Sequence, residues 1–198
     1  MPKVVDHEAR RLDFIEAAYA TIIEEGLANT TIRAVARKAG YTTGALVHYF
    51  GDKDELIRLA LLHFGKEVRA RMVSAEEAGR GRAALRAVLV EALPTDRRKA
   101  SSWRVWMALW YHSEQSTPMR NEERRRYREW IGRISRLLQE AIDDGELATS
   151  VDIDIEARSL VGLLDGLAVQ YLMSNGRIGT QRLVQVVDNH LDRLFRSP

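Results

Sequence analysis

Residues 30–53, with the sequence TTIRAVARKAGYTTGALVHYFGDK, decide the fold of this chain. The stretch predicts two short helices joined by a glycine turn. The hydroxyl of Thr31 can cap the first helix, because it accepts a hydrogen bond from an otherwise unpaired backbone N–H. Gly40 can end that helix in a left-handed conformation, which costs glycine no Cβ clash. Thr42 or Thr43 can cap the second helix. That helix offers three residues for packing: Leu46, Val47 and Phe50.

Two short helices around a glycine turn have the layout of a DNA-binding helix-turn-helix. In that geometry the start of the second helix reaches base edges, and the first helix crosses the phosphates. The residues at that start are all small: Thr42, Thr43, Gly44 and Ala45. Arg33, Arg37 and Lys38 precede them, and residues 28–50 contain no Asp or Glu. Pattern alone leaves open both DNA binding and a plain helical hairpin.

The segment also resembles the N-terminal domain of TetR-family transcriptional regulators. The matching residues are Gly26, Thr31, Ile32, Val35, Ala36, Ala39, Gly40, Thr42, Gly44, Leu46, Tyr49, Phe50, Lys53 and Leu56. Val47 departs from the family pattern, because many members carry there a tyrosine that touches the DNA backbone. The order His48-Tyr49-Phe50-Gly51-Asp52-Lys53 is most similar to the choline-responsive repressors of betaine synthesis, a branch of this family.

The resemblance implies an all-α protein of about nine helices. Residues 1–53 would form a three-helix DNA-binding domain, and residues 54–198 a helical ligand-binding and dimerisation domain. Residues 42–49 would enter the major groove of a near-palindromic operator in double-stranded DNA. The implied DNA-binding residues are Thr31, Arg33, Thr42, Thr43, Gly44, Ala45, His48, Tyr49 and Lys53. Phosphate contacts are expected from four of these residues: Thr31, Arg33, Tyr49 and Lys53.

Composition limits the other possibilities. The 198 residues can bury a core adequate for unaided folding. The chain has no Cys, which excludes disulfides and suits a reducing compartment such as the cytoplasm. The N-terminus lacks the apolar stretch of a signal peptide, and no run is long enough to span a membrane. The net charge of +2 gives little support for nucleic-acid binding, so that argument rests on where the basic residues lie.

Motifs of catalysis and metal binding are missing from the sequence. It contains no Gly-x-Ser-x-Gly, no His-Glu-x-x-His and no glycine-rich phosphate loop. The five histidines are scattered, with no pair at ligand spacing. We therefore expect no enzyme activity, no metal and no cofactor.

Helical periodicity continues on both sides of the hairpin. The first helix has an apolar stripe of Leu12, Ile15, Tyr19, Ile22 and Ile23. Asp52 and Glu55 have the spacing of a capping box. Residues 74–82, small and polar with two glycines, predict a loop, and residues 122–144 predict a long helix. Seven arginines between residues 120 and 136 are typical of a solvated face, although a second nucleic-acid or membrane surface is the alternative.

An aromatic cluster marks the second domain. Trp103, Trp106 and Trp110 lie at i, i+3 and i+7 on a predicted helix over residues 96–113. Such a face is either plain core or the wall of a ligand pocket, since tryptophan attracts quaternary ammonium ions by cation–π interaction. Asp165 interrupts an apolar helix and could add a counter-charge. The candidate ligand-binding residues are Trp103, Trp106, Met107, Trp110, Tyr127, Trp130, Asp165 and Tyr171.

The last two predicted helices, ending near residues 173 and 195, carry large apolar surfaces that a two-fold copy could bury in a four-helix bundle. The resemblance implies a homodimer through these helices, with its symmetry setting the spacing of two DNA half-sites. A small-molecule inducer would release the operator by binding the non-operator state more tightly. The alternative is a helical small-molecule-binding sensor without specific operator binding.

Overall fold

The computed structural model describes residues 7–27, 29–113, 117–175 and 177–196. All regular elements in these ranges are helices. They are α1 (His7–Glu25), α2 (Ile32–Ala39), α3 (Thr43–Tyr49), α4 (Lys53–Glu76), α5 (Gly81–Ala92), α6 (Arg97–Ser113), α7 (Thr117–Asp143), α8 (Ile153–Met173) and α9 (Thr180–Leu194). The predicted all-α class and helix-turn-helix domain are therefore confirmed. The chain divides into two compact units, Met1–Arg69 and Ala70–Pro198. A functional boundary at residue 53 stays a prediction.

Phe14 is the centre of the first unit. Its side chain is fully buried, and its ring lies 4.9 Å, 5.6 Å and 6.0 Å from the ring centroids of Tyr41, Tyr49 and Phe50. The buried face of α1 is formed by Phe14, Ile15, Ala17, Ala18, Thr21 and Ile22. Leu12, which the predicted stripe placed inward, is 42% exposed. The prediction was wrong for Leu12, whereas Ile15 and Ile22 of the same stripe are buried. The buried face is centred on Phe14, Ala17 and Ala18, so it excludes Leu12.

The turn chemistry of the first unit follows the prediction. Thr31 accepts a hydrogen bond from the Ala34 backbone N–H at 3.1 Å. Gly40 ends α2 with φ +75°, in the left-handed region that favours glycine. Asp52 accepts from the Glu55 backbone N–H at 2.7 Å. The Glu55 carboxylate accepts from the backbone of Gly51, one residue before the position expected in a capping box, at 3.0 Å.

The second unit is built around α7, which packs against α5, α6 and α8. Its core contains the fully buried side chains of Leu85, Leu89, Ile134, Leu137, Leu138 and Leu160. The helix α9 packs on α5 and buries Leu183, Val187 and Leu191, which recur every four residues on one face.

Two helix boundaries differ from the prediction because of contacts between distant residues. The last turn of α4 extends to Glu76, whose carboxylate pairs with Arg133 and Arg136 of α7. The helix α5 begins already at Gly81, because the Glu146 carboxylate accepts from the backbone N–H of Arg82 at 2.6 Å. The predicted loop over residues 74–82 therefore shrinks to the four residues between the two helices.

The long helix α7 starts at Thr117 rather than at residue 122. Its second residue is Pro118, which the first turn of a helix tolerates because the backbone N–H there has no intrahelical partner. Within the ranges that the structure describes, no helix combines the length and the apolarity needed to cross a membrane.

Candidate nucleic-acid interface and ligand site

The start of α3 is open to solvent. Thr42 accepts from the backbone N–H of Ala45 at 3.2 Å and so caps the helix, which decides between the two threonines. The side chain of Thr43 is exposed and free of this task, and Gly44 beside it is also exposed. Ala45 is half-buried. A short helix with a small, accessible N-terminal turn can approach the edges of base pairs closely.

Val47 lies on the same outward face. Its side chain is 55% exposed, whereas the expected packing residues Leu46 and Phe50 are buried. The expectation that Val47 packs inward was wrong, because it stands one turn after Thr43 on the side facing away from the core. The next residue, His48, is exposed as well. The helix α3 has the sequence TGALVHY, so it presents methyl groups, a hydroxyl and an imidazole without Arg, Lys, Asn or Gln.

Tyr49 is anchored within the first unit. Its hydroxyl shares a hydrogen bond with Nδ1 of His7 at 2.9 Å, and its ring packs on Phe14. If the Nδ1–H of His7 donates this bond, the Tyr49 hydroxyl proton stays free for a phosphate oxygen. The contact therefore positions Tyr49 and is compatible with the predicted phosphate role.

The cations of the hairpin differ in their pairing. Lys38 lies 2.5 Å from Glu24, and Arg37 lies 3.8 Å from Glu25, both acids at the end of α1. Arg33 is exposed, and no ion pair or hydrogen bond engages its side chain within the described residues. Both acids are evident in the sequence, but their pairing with Arg37 and Lys38 could not be predicted, because it depends on how α1 packs against α2.

Lys53 and the exposed Thr31 occupy helix starts. Lys53 is the first residue of α4, half-buried, and its ammonium group has no side-chain partner within the described ranges. A cation beside free backbone N–H groups is suited to a phosphate. The predicted DNA-binding residues thus all lie on α2, α3 and the adjoining helix starts.

The predicted tryptophan face of α6 is divided between two surroundings. Trp103 donates its indole N–H to the carbonyl of Ala92 at 2.7 Å and meets Trp110 edge to face at 6.4 Å. Trp106 is buried, and the guanidinium carbon of Arg126 lies 3.9 Å from its ring centroid. The geometry is that of a close cation–π contact.

Arg126 belongs to a polar cluster that joins α6, α7 and α8. Its guanidinium pairs with Glu123, with the shortest N–O distance at 3.0 Å. The next residue, Tyr127, donates its hydroxyl to the Asp165 carboxylate on α8. Burial raises the pKa of the Asp165 carboxyl, while the hydrogen bond from Tyr127 and the charge of Arg126 act in the opposite direction. Burial, followed by the bond to Asp165, raises the pKa of Tyr127 above its usual range.

The structure therefore brings together Trp106, Tyr127 and Asp165 from the predicted ligand set. Arg126 and Glu123 at the same place were missed, because they fall in the arginine-rich run that is typical of a solvated face. Most of that run is indeed paired with acids of α4 and α7, as the ion pairs of Arg125, Arg126, Arg133 and Arg136 show.

The remaining predicted ligand residues have different surroundings. Met107 and Trp130 are half-buried. Tyr171 lies at a separate cleft of about 230 Å³. The other residues that line this cleft are Asp96, Arg97, Ala100, Arg104, Leu172 and Asn175. As for metal ligands, the described part of the chain holds no group of three or more His, Asp or Glu side chains that could bind an ion.

Comparison with known proteins connects both units to regulators. Residues 14–60 match the family described as bacterial regulatory proteins of the tetR family, and residues 81–196 match the C-terminal domain of BetI-type transcriptional repressors. The chain is 29% identical to the HTH-type transcriptional regulator PksA of Bacillus subtilis, over 98% of this chain and 94% of that protein. It is 28% identical to the HTH-type transcriptional regulator BetI of Burkholderia ambifaria, over the full length of both.

A solved structure of a transcriptional regulator from Saccharomonospora viridis in complex with choline has the same fold. It superposes with a TM-score of 0.86 at 24% identity, over 93% of this chain and 96% of that one.

Proposed function

Because the chain belongs to the TetR family of transcriptional regulators, with a C-terminal domain of the BetI type, we propose that it represses transcription from a near-palindromic operator as a homodimer. The family and the branch that the sequence resembles are confirmed by these matches. A small-molecule inducer would release the operator. Binding to chromosomal DNA would place the protein in the cytoplasm, and it would act without catalysing a reaction.

The observation that carries operator binding is the accessible start of α3. Thr43, Gly44, Val47 and His48 are exposed there, while Leu46 beneath them is buried and fixes the helix on the core. We assign base contacts to residues 42–48. Phosphate contacts are assigned to Thr31, Arg33, Tyr49 and Lys53. This assignment makes residues 1–53 the DNA-binding domain.

The dimer is proposed to form through α8 and α9. Ile155 and Met173 of α8 are 62% and 78% exposed. They are separated by about five helical turns, so their side chains lie on one face, with the exposed Gly162 between them. A glycine on this line lets a second helix approach closely. Burying this apolar face against its two-fold copy would stabilise the dimer.

The inducer is proposed to bind in the second unit. The aromatic residues of α6 and α7 and the half-buried Asp165 offer apolar walls with few polar groups, as small-molecule sites do. Choline, which is bound to the similar regulator from Saccharomonospora viridis, is the first compound to test. Any inducer must bind the released state more tightly than the operator-bound state, otherwise no equilibrium shifts.

Operator binding is tested by the anisotropy of dye-labelled DNA from directly upstream of the gene, against a scrambled duplex and across a salt series. We expect nanomolar binding with a clear preference for the upstream DNA. The matched variants Thr43→Val and Thr149→Val make the same substitution at exposed positions, on α3 and in the turn before α8, and only the first should alter the preference. Equal, weak and strongly salt-dependent binding to both duplexes would support the alternative, a sensor without its own operator at this promoter.

A further inference from the structure

We propose that Trp106, Glu123 and Asp165 form a binding site for an organic cation, and that Arg126 of the same chain occupies it. The inference rests on the proposed ligand-responsive function, because it states what fills the site before an inducer arrives. It concerns the side chain that an organic cation, a quaternary ammonium or guanidinium ion, must displace.

The aromatic wall is the first element of this site. The Arg126 guanidinium carbon lies 3.9 Å from the Trp106 ring centroid, well inside the roughly 6 Å range of cation–π contacts. Trp106 is only 9% exposed, so the ring surface under the guanidinium is largely shielded from water. Tryptophan is the strongest cation–π partner among the aromatic residues. The contact therefore holds a cation where an external one would bind.

Two carboxylates complete the site. Glu123 pairs with the Arg126 guanidinium from one turn earlier on α7, and its side chain is 13% exposed. Asp165 lies on α8 and accepts a hydrogen bond from the hydroxyl of Tyr127, the residue next to Arg126. The charge of Arg126 acts to lower the pKa of this carboxyl. One cation thus pairs directly with the partly buried Glu123 and an aromatic face, and a second carboxylate lies in the same cluster. Removing Arg126 would leave Glu123 without its cation, which is costly in a partly buried site.

The neighbouring arginine shows that this arrangement is specific to one position. Arg125 also pairs with two acids, Glu122 and Glu129, on the same helix. Its side chain is 47% exposed, against 26% for Arg126, and it is engaged by acids of α7 alone. Arg125 is therefore a surface ion pair and provides a matched control.

An external cation can bind at this site only if it displaces the Arg126 side chain. A side chain tethered beside its site competes at an effective concentration in the millimolar range or above. Choline or a guanidinium compound at lower concentration would therefore be excluded from the unaltered protein. A ligand that binds must make further contacts, or must turn Arg126 out towards solvent.

The test uses the full chain with Arg126→Ala, and Arg125→Ala as control, titrated calorimetrically with methylguanidinium and with choline. We expect Arg126→Ala to bind both cations at least tenfold more tightly than the unaltered protein and Arg125→Ala. We also expect its thermal midpoint to fall by roughly 5 °C and to recover with methylguanidinium. Adding Trp106→Leu to Arg126→Ala should abolish the gain.

Arg126→Met retains most of the packing of the aliphatic stem and serves if the alanine variant does not fold. Equal affinity for both cations in the Arg126 variants, Arg125→Ala and the unaltered protein would overturn the proposal. So would tight choline binding by the unaltered protein that Trp106→Leu removes. These titrations need no DNA, so failure of operator binding would count against the proposed function alone.

Discussion

Arg33 on α2 and Arg126 on α7 are both arginines in candidate sites, but their surroundings are opposite. Arg33 projects into solvent without an ion-pair partner in the described part of the chain, whereas Arg126 is stacked on Trp106 and paired with Glu123. The first unit leaves charge for a partner to complete, as a surface for DNA requires. The cluster around Arg126 satisfies its charges within the second unit. A ligand there must replace existing contacts, while DNA can simply add new ones.

If each unit has its own core, a large truncation in one unit should leave the stability of the other unchanged. Phe14→Ala is the most severe test of this independence. Phe14 is fully buried among three aromatic rings of the first unit. Its truncation should lower the free energy of unfolding of this unit by about 3–5 kcal/mol. In differential scanning calorimetry, one transition should move down while the other stays. Leu12→Ala, at an exposed position, is the control, and loss of both transitions together would mean a shared core.

Free and paired cations in the first unit should differ in their effect on DNA binding. Lys53→Ala should weaken binding to all sequences by about tenfold at low salt and reduce the salt slope by about one, because it removes the proposed phosphate contact. Arg37→Ala should cost less, since Glu25 already neutralises that charge. Anisotropy titrations across a salt series measure both quantities. Unchanged affinity and slope for Lys53→Ala would refute this placement on DNA.

The exposed Val47 side chain provides a test of whether the accessible face of α3 contacts base pairs directly. Its exposed methyl groups are suited to the C5-methyl of thymine, and α3 has no side chain that forms the usual bidentate contacts to guanine or adenine. Replacing a thymine that Val47 contacts in the operator by uracil should weaken binding about fourfold. This factor corresponds to the free energy of burying one methyl group. Val47→Ala should be insensitive to that replacement. Equal sensitivity in both proteins would assign the methyl contact to another residue.

The smallest expected effect is a pH dependence of stability caused by the partly buried carboxyl group of Asp165 in the second unit. Burial raises the folded-state pKa of Asp165 above its unfolded value of about 3.9. The folded protein therefore holds a proton that the unfolded chain has lost, and stability falls as pH rises through the folded pKa. As pH rises from the unfolded to the folded pKa, the free energy of unfolding of the unaltered protein should fall by about 1 kcal/mol or less relative to Asp165→Asn. Urea midpoints at matched pH values measure it, and parallel profiles would contradict it.

Features of the first unit that depend on neighbouring residues could be predicted from the sequence. Thr31, Gly40 and Asp52 act on residues three or four positions away, so their caps and turns could be identified from spacing alone. The family resemblance then placed the DNA-binding residues on this framework. Even here, the pairing of Arg37 and Lys38 with α1 was hidden, because it depends on how two helices meet.

In the second unit, spacing identified the aromatic face but not its neighbours. The contact between Tyr127 and Asp165 joins residues 38 positions apart, and Arg126 looks like any member of a charged run. The end of α4 and the start of α5 likewise depend on contacts with distant residues, which are made by Glu76 and Glu146 respectively. Local patterns cannot determine which distant carboxylate will be adjacent.

The distribution of aromatic residues between the two units has an optical consequence. All four tryptophans, at positions 103, 106, 110 and 130, belong to the second unit, and the first unit contains none. Indole emission is therefore a natural label for the second unit. A change in that emission when unlabelled operator DNA is added would report directly that one unit senses what the other has bound. The chain thus carries its own probe for communication between its two halves.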